Sequence, residues 1–436
     1  MTVSRSAVQR QFLERLFQTA VAAAHPARFL PALLPPAPDT GCLMILAAGK
    51  AAGSMAEVAE AHYLDSGFPK ERIRGIAVAR HGYGRRLRVV EMVEAGHPVP
   101  DQAGLDATAR TLELADTATH GDLVLVLMSG GASANWTAPA DGLSLSSKQA
   151  VTRALLRSGA SISEINTVRK HLSRIKGGRL ARHAFPARVV TIGISDVPGD
   201  DPAVIGSGPT VPDPTTLADA SAIVERYGLE LPGNAFLALR DPRNETPKPD
   251  DPLFNATDYI LAAKPLDTFK AAEADIRAAG YECIFLGDRL EGEARDIAAE
   301  QAKMARDLSA QNRRAVILSG GELTVTIRGQ GHGGPNQEFA LALAIALDGS
   351  RGIAALAADT DGTDGGAGSA DDPAGAYVDG QSAARALALG LDATKYLADN
   401  NSTAFFAALG DLVSPGPTFT NVNDFRAIVV DHVDTA

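Results

Sequence analysis

The sequence contains little cysteine and no long apolar run. Its two cysteines, Cys42 and Cys283, exclude a disulfide framework and a zinc site with four thiolates. No uncharged apolar run approaches the roughly 18 residues that a membrane-spanning helix requires. An N-terminus with Arg5, Arg10 and Arg15 spread along it is not typical of a secretory signal peptide. We therefore expect a cytoplasmic protein with no membrane partner.

The sequence also lacks an excess of basic residues. Lys and Arg total 41 against 52 Asp and Glu, which gives a net charge of −11. A surface of this charge repels the phosphates of nucleic acids, so we expect no nucleic-acid partner. The chain has 436 residues, of which 45% are hydrophobic and 21% charged. These values are typical of an ordered globular protein of two or three domains and exclude wholesale disorder.

Short apolar runs alternate with helical stretches along the whole chain. The runs are almost continuously hydrophobic, as in strands that helices cover on both faces. Strands are predicted at 43–47, 76–79, 123–128, 189–194, 259–262, 282–286, 315–318, 323–327 and 353–357. The alternation predicts an α/β fold with a mostly parallel sheet. A polar, proline-rich stretch at 241–252 indicates a linker and predicts domains at 1–240 and 253–436.

Three features of the first half point to an anionic ligand. The turn Ser129-Gly130-Gly131-Ala132-Ser133 follows a predicted strand, and its backbone N–H groups and hydroxyls suit an anion. Lys50 follows another strand where a helix begins, and a lysine is unfavourable there unless it meets negative charge. The stretch 166–179 concentrates basic residues, including Arg169 and Lys176, in an acidic chain. A tight turn, a mobile surface lysine and a solvated helix face are the respective structural alternatives.

Acidic loops follow two predicted strands. Asp196 follows the strand at 189–194, and Asp359, Asp361 and Asp364 follow the strand at 353–357. Ligands and metals gather at the carboxyl ends of such strands, and closely spaced carboxylates suit Mg²⁺. We predict Asp196, Asp361 and Asp364 as metal ligands, although Asp-Gly turns alone would produce part of this pattern.

A second group of glycines lies in the second half. Gly329-Gln330-Gly331-His332-Gly333-Gly334 matches G-x-G-x-x-G between a predicted strand and a helix, a context typical of dinucleotide binding. Glu338 places a negative charge in the first turn of that helix, where a pyrophosphate would dock. We therefore favour a different phosphate-cradling or substrate-gating loop over an NAD site.

These motifs, in this order, resemble the class II glycerate kinases, whose C-terminal part carries the MOFRL domain. The resemblance is carried by AAGKAA, EAGHPVPD, LMSGGASA, SGASISEINTVRKHLSRIKGGRLA, ISDVPGDDPAVIGSGPTVPD, LSGGELTV, GGPNQEFALA, DTDGTDG and TNVNDF. It implies a Rossmann-like N-terminal domain, a C-terminal α/β domain and an active site in the cleft between them. It also implies phosphorylation of D-glycerate at the 2-hydroxyl by ATP with Mg²⁺, giving 2-phosphoglycerate. A homo-oligomer is compatible with this expectation.

The resemblance and the residue chemistry together assign roles. We expect Lys50 to bind the transferring phosphoryl group or the glycerate carboxylate, and Asp196 or Asp361 to act as the base. We expect substrate or phosphate contacts from Ser129, Gly130, Gly131, Ser133, Arg169, Lys176, Asn336 and Glu338. We expect nucleotide contacts from Gly320, Gly321, Glu322, Gly331, Gly333 and Gly334.

One departure and two other functions stay open. Many relatives carry an Arg, regarded as an active-site group, where this chain has Pro335, and Arg328 and Arg169 are candidates to supply its charge. An NAD(P)H-dependent hydroxypyruvate reductase is the alternative enzyme. A sensor that binds sugar phosphates without turnover is the non-catalytic alternative.

Overall fold

A computed structural model describes residues 5–197, 199–366 and 368–431. They form two compact units, one of residues 26–263 and one of the described parts of 1–25 and 264–436. The division thus falls beyond the stretch at 241–252 from which we predicted the domain boundary. That stretch is held to the first unit by hydrogen bonds, since Arg179 donates to the Asn244 carbonyl at 2.5 Å and Glu245 lies 3.1 Å from His171 Nε2.

The first unit is built on a parallel sheet with the strand order β3-β2-β1-β4-β5-β6. The central strands β1 and β4 are buried along their whole length, which explains their unbroken apolar sequences. The six strands are β1 (Leu43–Ala48), β2 (Ile73–Arg80), β3 (Glu91–Ala95), β4 (Leu123–Met128), β5 (Arg188–Ile194) and β6 (Thr257–Ala263). The predicted mostly parallel sheet is confirmed.

Helices of the first unit connect and cover these strands. They are α2 (Pro26–Leu33), α3 (Ala52–Asp65), α4 (Gln102–Asp116), α5 (Ala132–Asn135), α6 (Leu145–Arg157), α7 (Ile162–His171), α8 (Arg179–Ala184), α9 (Leu217–Arg226) and α10 (Gly233–Ala238). The strand order reverses between β1 and β4. In sheets of this type ligands bind outside the carboxyl ends of the strands at such a switch point.

The second unit contains a mixed sheet with the order β11-β10-β9-β12-β8-β7, in which β7 and β8 pair in parallel and the other described strand pairs are antiparallel. Its strands are β7 (Glu282–Phe285), β8 (Ala315–Gly320), β9 (Ile353–Asp359), β10 (Gly375–Asp379), β11 (Leu412–Val413) and β12 (Asp424–Val430). The prediction of a strand at 323–327 is wrong. That segment has no regular secondary structure and makes only an isolated bridge between Thr324 and Glu293.

Helices cover this sheet as well, so the second α/β unit is confirmed. They are α1 (Arg5–Ala23), α11 (Pro265–Ala278), α12 (Ala294–Ala310), α13 (Pro335–Ala346), α14 (Ser382–Ala388), α15 (Ala393–Ala398) and α16 (Ser402–Leu409). The N-terminal α1 belongs here because Leu13 and Leu16 pack into the same core as Phe269 and Phe425. Among the described residues, no helix has the length and apolar character needed to cross a membrane.

Candidate functional site

The turns that follow β1 and β4 are joined to each other at the switch point. The Lys50 N–H donates to the Gly130 carbonyl at 2.8 Å, and the Ala51 N–H donates to Ser129 Oγ at 2.9 Å. Gly49 has a φ of +116°, and a Cβ there would lie 2.4 Å from the Ser129 carbonyl oxygen. Glycine is therefore required at Gly49, and the fully buried Ser129 fixes the backbone beside Lys50.

The side chains of Lys50 and His97 both lie next to Gly131. Gly131 has a φ of +85°, and a Cβ at this position would lie 3.4 Å from Lys50 Cγ and 3.0 Å from His97 Cδ2. The half-buried Lys50 side chain thus passes beside the glycine turn. His97, which follows β3, is the third group at this point.

Ser133 is the centre of a cluster of basic side chains. Arg169 Nη2 and Lys176 Nζ each donate to Ser133 Oγ at 2.7 Å, and Lys176 also donates to the Ser133 carbonyl at 2.8 Å. Ser207 Oγ lies 2.9 Å from the same hydroxyl. Ser207 has a φ of +64°, an unfavourable backbone conformation of the kind that functional sites retain. The structure therefore brings together Ser133, Arg169 and Lys176, which the sequence analysis had predicted as binding residues.

Lys148 belongs to the same cluster, and the sequence analysis missed it. It lies on α6 and is only 7% exposed, yet its Nζ has no hydrogen-bond partner within the described residues. A signal was present, because Lys148, Val151 and Leu155 share the buried face of α6 and interrupt an apolar stripe with a charge.

Burial and mutual repulsion lower the pKa values of these cations. Burial, and then the charge of Arg169, lower the pKa of Lys148 to about 7. Burial, followed by the charges of Arg169 and Lys148, lowers the pKa of Lys176 well below its usual range. Burial also lowers the pKa of Arg169. Groups perturbed in this way by burial and like charges are candidates for a functional site.

Asp196 lies at the carboxyl end of β5, as predicted, and is half-buried. Tyr259 on β6 faces this loop, and its buried hydroxyl has no hydrogen-bond partner in the described part of the chain. Burial raises the pKa of Tyr259, and the charges of Asp201 and Asp196 raise it further.

In the second unit, Asp364 is committed to the first turn of α13. Its two carboxylate oxygens accept hydrogen bonds from the backbone N–H groups of Asn336, at 3.0 Å, and Gln337, at 2.8 Å. Burial, and then the charge of Asp424, raise the pKa of Asp364 to about 7. In this structure both carboxylate oxygens of Asp364 are thus used at the start of α13, and its role as a magnesium ligand stays a prediction.

Asn336 joins several motifs that are distant in the sequence. Its amide donates to Asp364 Oδ1 at 3.2 Å and to Asp424 Oδ1 at 2.7 Å. Arg426 donates to Asp424 at 2.8 Å and to the Gly321 carbonyl at 3.1 Å. Asp361 lies close enough to contribute, after burial, to the raised pKa of Asp424. These contacts bring together Asn336, Asp361 and Asp364, and they add Asp424 and Arg426, which the sequence analysis did not single out.

The acidic side chains of the described residues do not form a cluster of three or more potential metal ligands. Within 5–197, 199–366 and 368–431, no three histidine, cysteine, aspartate or glutamate side chains converge in a group that could hold a metal ion. The buried Asp361 already accepts hydrogen bonds at Oδ1 from the backbone and hydroxyl of Thr363, at 2.7 and 3.0 Å.

The loop that matches G-x-G-x-x-G is fixed by hydrogen bonds to other residues of the second unit. The N–H groups of Gly329 and Gln330 donate to Asn400 and Asp399 side chains at 3.0 and 2.9 Å, and that of Gly331 donates to the Asp399 carbonyl at 2.9 Å. These N–H groups are therefore not presented to a pyrophosphate. The preceding strand is also missing, so the context that a dinucleotide fingerprint requires is not met.

The other predicted glycines make close packing contacts. A Cβ would lie 2.4 Å from the Phe269 ring at Gly320, 2.2 Å from Leu290 N at Gly321, 2.0 Å from Ser402 Oγ at Gly333 and 2.2 Å from the Asp364 carbonyl oxygen at Gly334. Packing alone explains these glycines. A nucleotide role for them stays a prediction.

Glu338 is engaged in a buried ion pair. Arg295 Nε donates to Glu338 Oε1 at 3.0 Å, and Asn400 donates to Oε2 at 2.9 Å. Glu338 is 2% exposed, so its charge is satisfied inside the unit. Glu322 and Arg328, by contrast, are exposed. Pro335 occupies the first position of α13, where its missing N–H costs no hydrogen bond.

Two families match the sequence. The family described as "Domain of unknown function (DUF4147)" matches residues 12–240, and the MOFRL family matches residues 315–424. The chain is similar to an Agrobacterium vitis protein named "Putative hydroxypyruvate reductase", with 46% identity over 97% of this chain and 94% of the relative. It is also similar to a Thermotoga maritima protein named "D-glycerate 2-kinase", with 40% identity over 88% of this chain and 89% of the relative.

A solved structure is similar over almost the whole length. The crystal structure of a glycerate kinase from Thermotoga maritima superimposes with a TM-score of 0.83 and 37% sequence identity. The match covers 97% of this chain and 99% of that one.

Proposed function

The chain belongs to the class II glycerate kinase family, with its C-terminal MOFRL domain. We propose that it transfers a phosphoryl group from ATP to the 2-hydroxyl of D-glycerate, forming 2-phosphoglycerate. The relatives named as glycerate kinases support the kinase class.

The observation that carries this proposal is the convergence of basic groups at the β1–β4 switch point. Lys50 passes beside Gly131, and two residues further on Ser133 receives hydrogen bonds from Arg169 and Lys176. Phosphoryl transfer to a small acid requires cations that bind a polyanion and orient an anionic acceptor. A first unit with this concentration of buried positive charge, in a chain of net charge −11, suits that chemistry.

We assign roles to the individual groups on the basis of their positions. Lys50, at the half-buried edge of the glycine turn, would stabilise the transferring phosphoryl group. Asp196, at the carboxyl end of β5 in the same unit, would orient the substrate hydroxyl and accept its proton. We also propose that Asp196 would hold a divalent cation, which when bound would supply positive charge to the nucleotide phosphates.

The reductase alternative has weaker structural support. It requires a nicotinamide dinucleotide, and the loop that matches G-x-G-x-x-G donates its N–H groups to Asp399 and Asn400 instead. The relative that bears the reductase name is similar over the same length, so the name alone does not distinguish the two enzymes.

Product analysis tests the proposal. The purified chain is incubated with D-glycerate and Mg-ATP, and phosphorus NMR follows the first product. We expect 2-phosphoglycerate together with ADP. Exclusive 3-phosphoglycerate would refute the 2-kinase assignment, and NADH oxidation with hydroxypyruvate but no ADP formation would favour the reductase. Absence of turnover in both assays would favour the sensor.

A further inference from the structure

The basic cluster around Ser133 lacks a negative counterpart. Lys148 Nζ and Arg169 Nε have no hydrogen-bond partner, and no carboxylate of the described residues lies within ion-pair distance of Lys148, Arg169 or Lys176. Buried charged groups are normally paired, because an unpaired one is costly. The cluster therefore has the composition of a site that an anionic group completes.

The neighbouring Lys170 is a buried cation that pairs with an acid, and it serves as a comparison for Lys148. Lys170, on α7 beside Arg169, is also 7% exposed, and its Nζ lies 3.4 Å from Asp213. Asp213 is itself fully buried and receives a further hydrogen bond from Thr246 at 3.1 Å. Among the described residues, no acid pairs with Lys148 in the way that Asp213 pairs with Lys170.

The geometry favours a small anion over a triphosphate. Lys176 is fully buried and Ser207 is 1% exposed, so the cluster lies beneath the surface and accepts only a compact terminal group. Arg169 already directs Nη2 to Ser133 Oγ, which leaves the adjacent Nε as a donor in the plane of the guanidinium. Planar guanidinium groups match the two oxygens of a carboxylate.

We propose that Lys148, with Arg169 and Lys176, binds the carboxylate of the hydroxy acid substrate and so selects acids over neutral polyols. This inference rests on the proposed function and identifies Lys148 as a specificity-determining residue at the non-reacting end of the substrate. Lys50 and the reacting hydroxyl then lie toward the Gly131 turn, two residues from Ser133 in the chain. An anion in this place offsets the burial and repulsion that lower the pKa of Lys148.

The test compares D-glycerate with D-glyceramide, which keeps both hydroxyls but replaces the carboxylate with a neutral amide. We expect wild-type protein to prefer glycerate strongly by kcat/KM. Lys148→Met removes the charge and keeps the length of the side chain, and we expect it to reduce that preference at least tenfold. KM for ATP should change less than twofold. Arg153→Met is the matched control, since Arg153 is an exposed cation on the same helix, and it should leave the preference unchanged.

Each other outcome has a defined meaning. An unchanged preference in Lys148→Met would overturn the inference, and so would a raised KM for ATP with an unchanged preference, since the cluster would then bind nucleotide phosphates. If the wild type does not phosphorylate glycerate, the proposed function fails and calorimetric binding decides the inference separately. Glycerate binding that exceeds glyceramide binding and is lost in Lys148→Met would support the carboxylate site, and equal binding of the two compounds would overturn it.

Discussion

Lys148→Met should stabilise the protein in the absence of substrate. The lysine has a pKa lowered from 10.5 to about 7, chiefly by burial. Each pKa unit corresponds to about 1.36 kcal/mol, so at pH 7 folding disfavours this lysine by about 4 kcal/mol relative to an exposed one. Methionine retains the packing of the side-chain stem and removes the charge. Replacing buried ionic groups with apolar ones often increases the free energy of unfolding by about 1–4 kcal/mol, and we expect an increase within that range.

The pH dependence of this gain distinguishes it from a simple packing effect. Because the folded-state pKa lies below the unfolded one, the unfolded chain binds more protons between pH 7 and 10.5, and wild-type stability rises with pH through that window. The stability of Lys148→Met should not show this rise with pH, because the variant has no lysine to titrate. Its advantage over wild type should therefore be largest at pH 7 and below, and should shrink as the pH approaches 10.

Scanning calorimetry without substrate measures both effects. For a unit of this size, about 1 kcal/mol corresponds to roughly 2–4 °C in the melting temperature. Arg153→Met, the exposed cation on the same helix, should leave the melting temperature within about 1 °C at either pH, as surface substitutions usually do. A lower melting temperature for Lys148→Met, with the same difference from wild type at pH 7 and pH 10, would refute the electrostatic reasoning.

Three further substitutions test other contacts. Lys50→Ala should lower kcat/KM for D-glycerate at least 100-fold, about 2.7 kcal/mol, and activity within threefold of wild type would remove Lys50 from the reaction. Gly131→Ala should lower kcat/KM at least tenfold because the new Cβ would lie 3.0 Å from His97 Cδ2, next to Lys50, whereas Gly67→Ala, at a similar φ of +87° in open space, should lower only the melting temperature. Arg295→Leu should reduce the unfolding free energy by about 3 kcal/mol because it leaves Glu338 buried without its cation, and an unchanged melting temperature would contradict this.

The strands of the first unit could be predicted because both faces of its sheet are covered. β1 and β4 are buried at every position, and such strands have unbroken apolar sequences with glycine turns at their ends. The position of Lys50 beside the Ser129–Ser133 turn follows from the same rule. Parallel neighbours end at one edge of the sheet, so the residues that follow them lie close together.

The second unit was harder to predict, because its pairings are not local. The alternating residues at 323–327 have the pattern of a strand, but only Thr324 finds a bridging partner. β12, from the end of the chain, instead pairs with both β8 and β9 at the centre of the sheet. Alternation indicates a strand but carries no information on which distant segment lies beside it.

The basic run at 166–179 shows why the proposed anion site could be suspected from the sequence but its residues could not be identified. Some of its basic residues form structural contacts in the fold, whereas others point to the Ser133 cluster. Lys170 pairs with Asp213, and Arg179 donates to the Asn244 carbonyl, so these two cations support the fold. Arg169 and Lys176 turn to Ser133 and meet no carboxylate among the described residues. The partners that separate the two groups lie 36 to 65 positions away in the chain, beyond the reach of any local pattern. A lysine that interrupts an apolar stripe, as on α6, is the one sequence signal that marks such a site in advance.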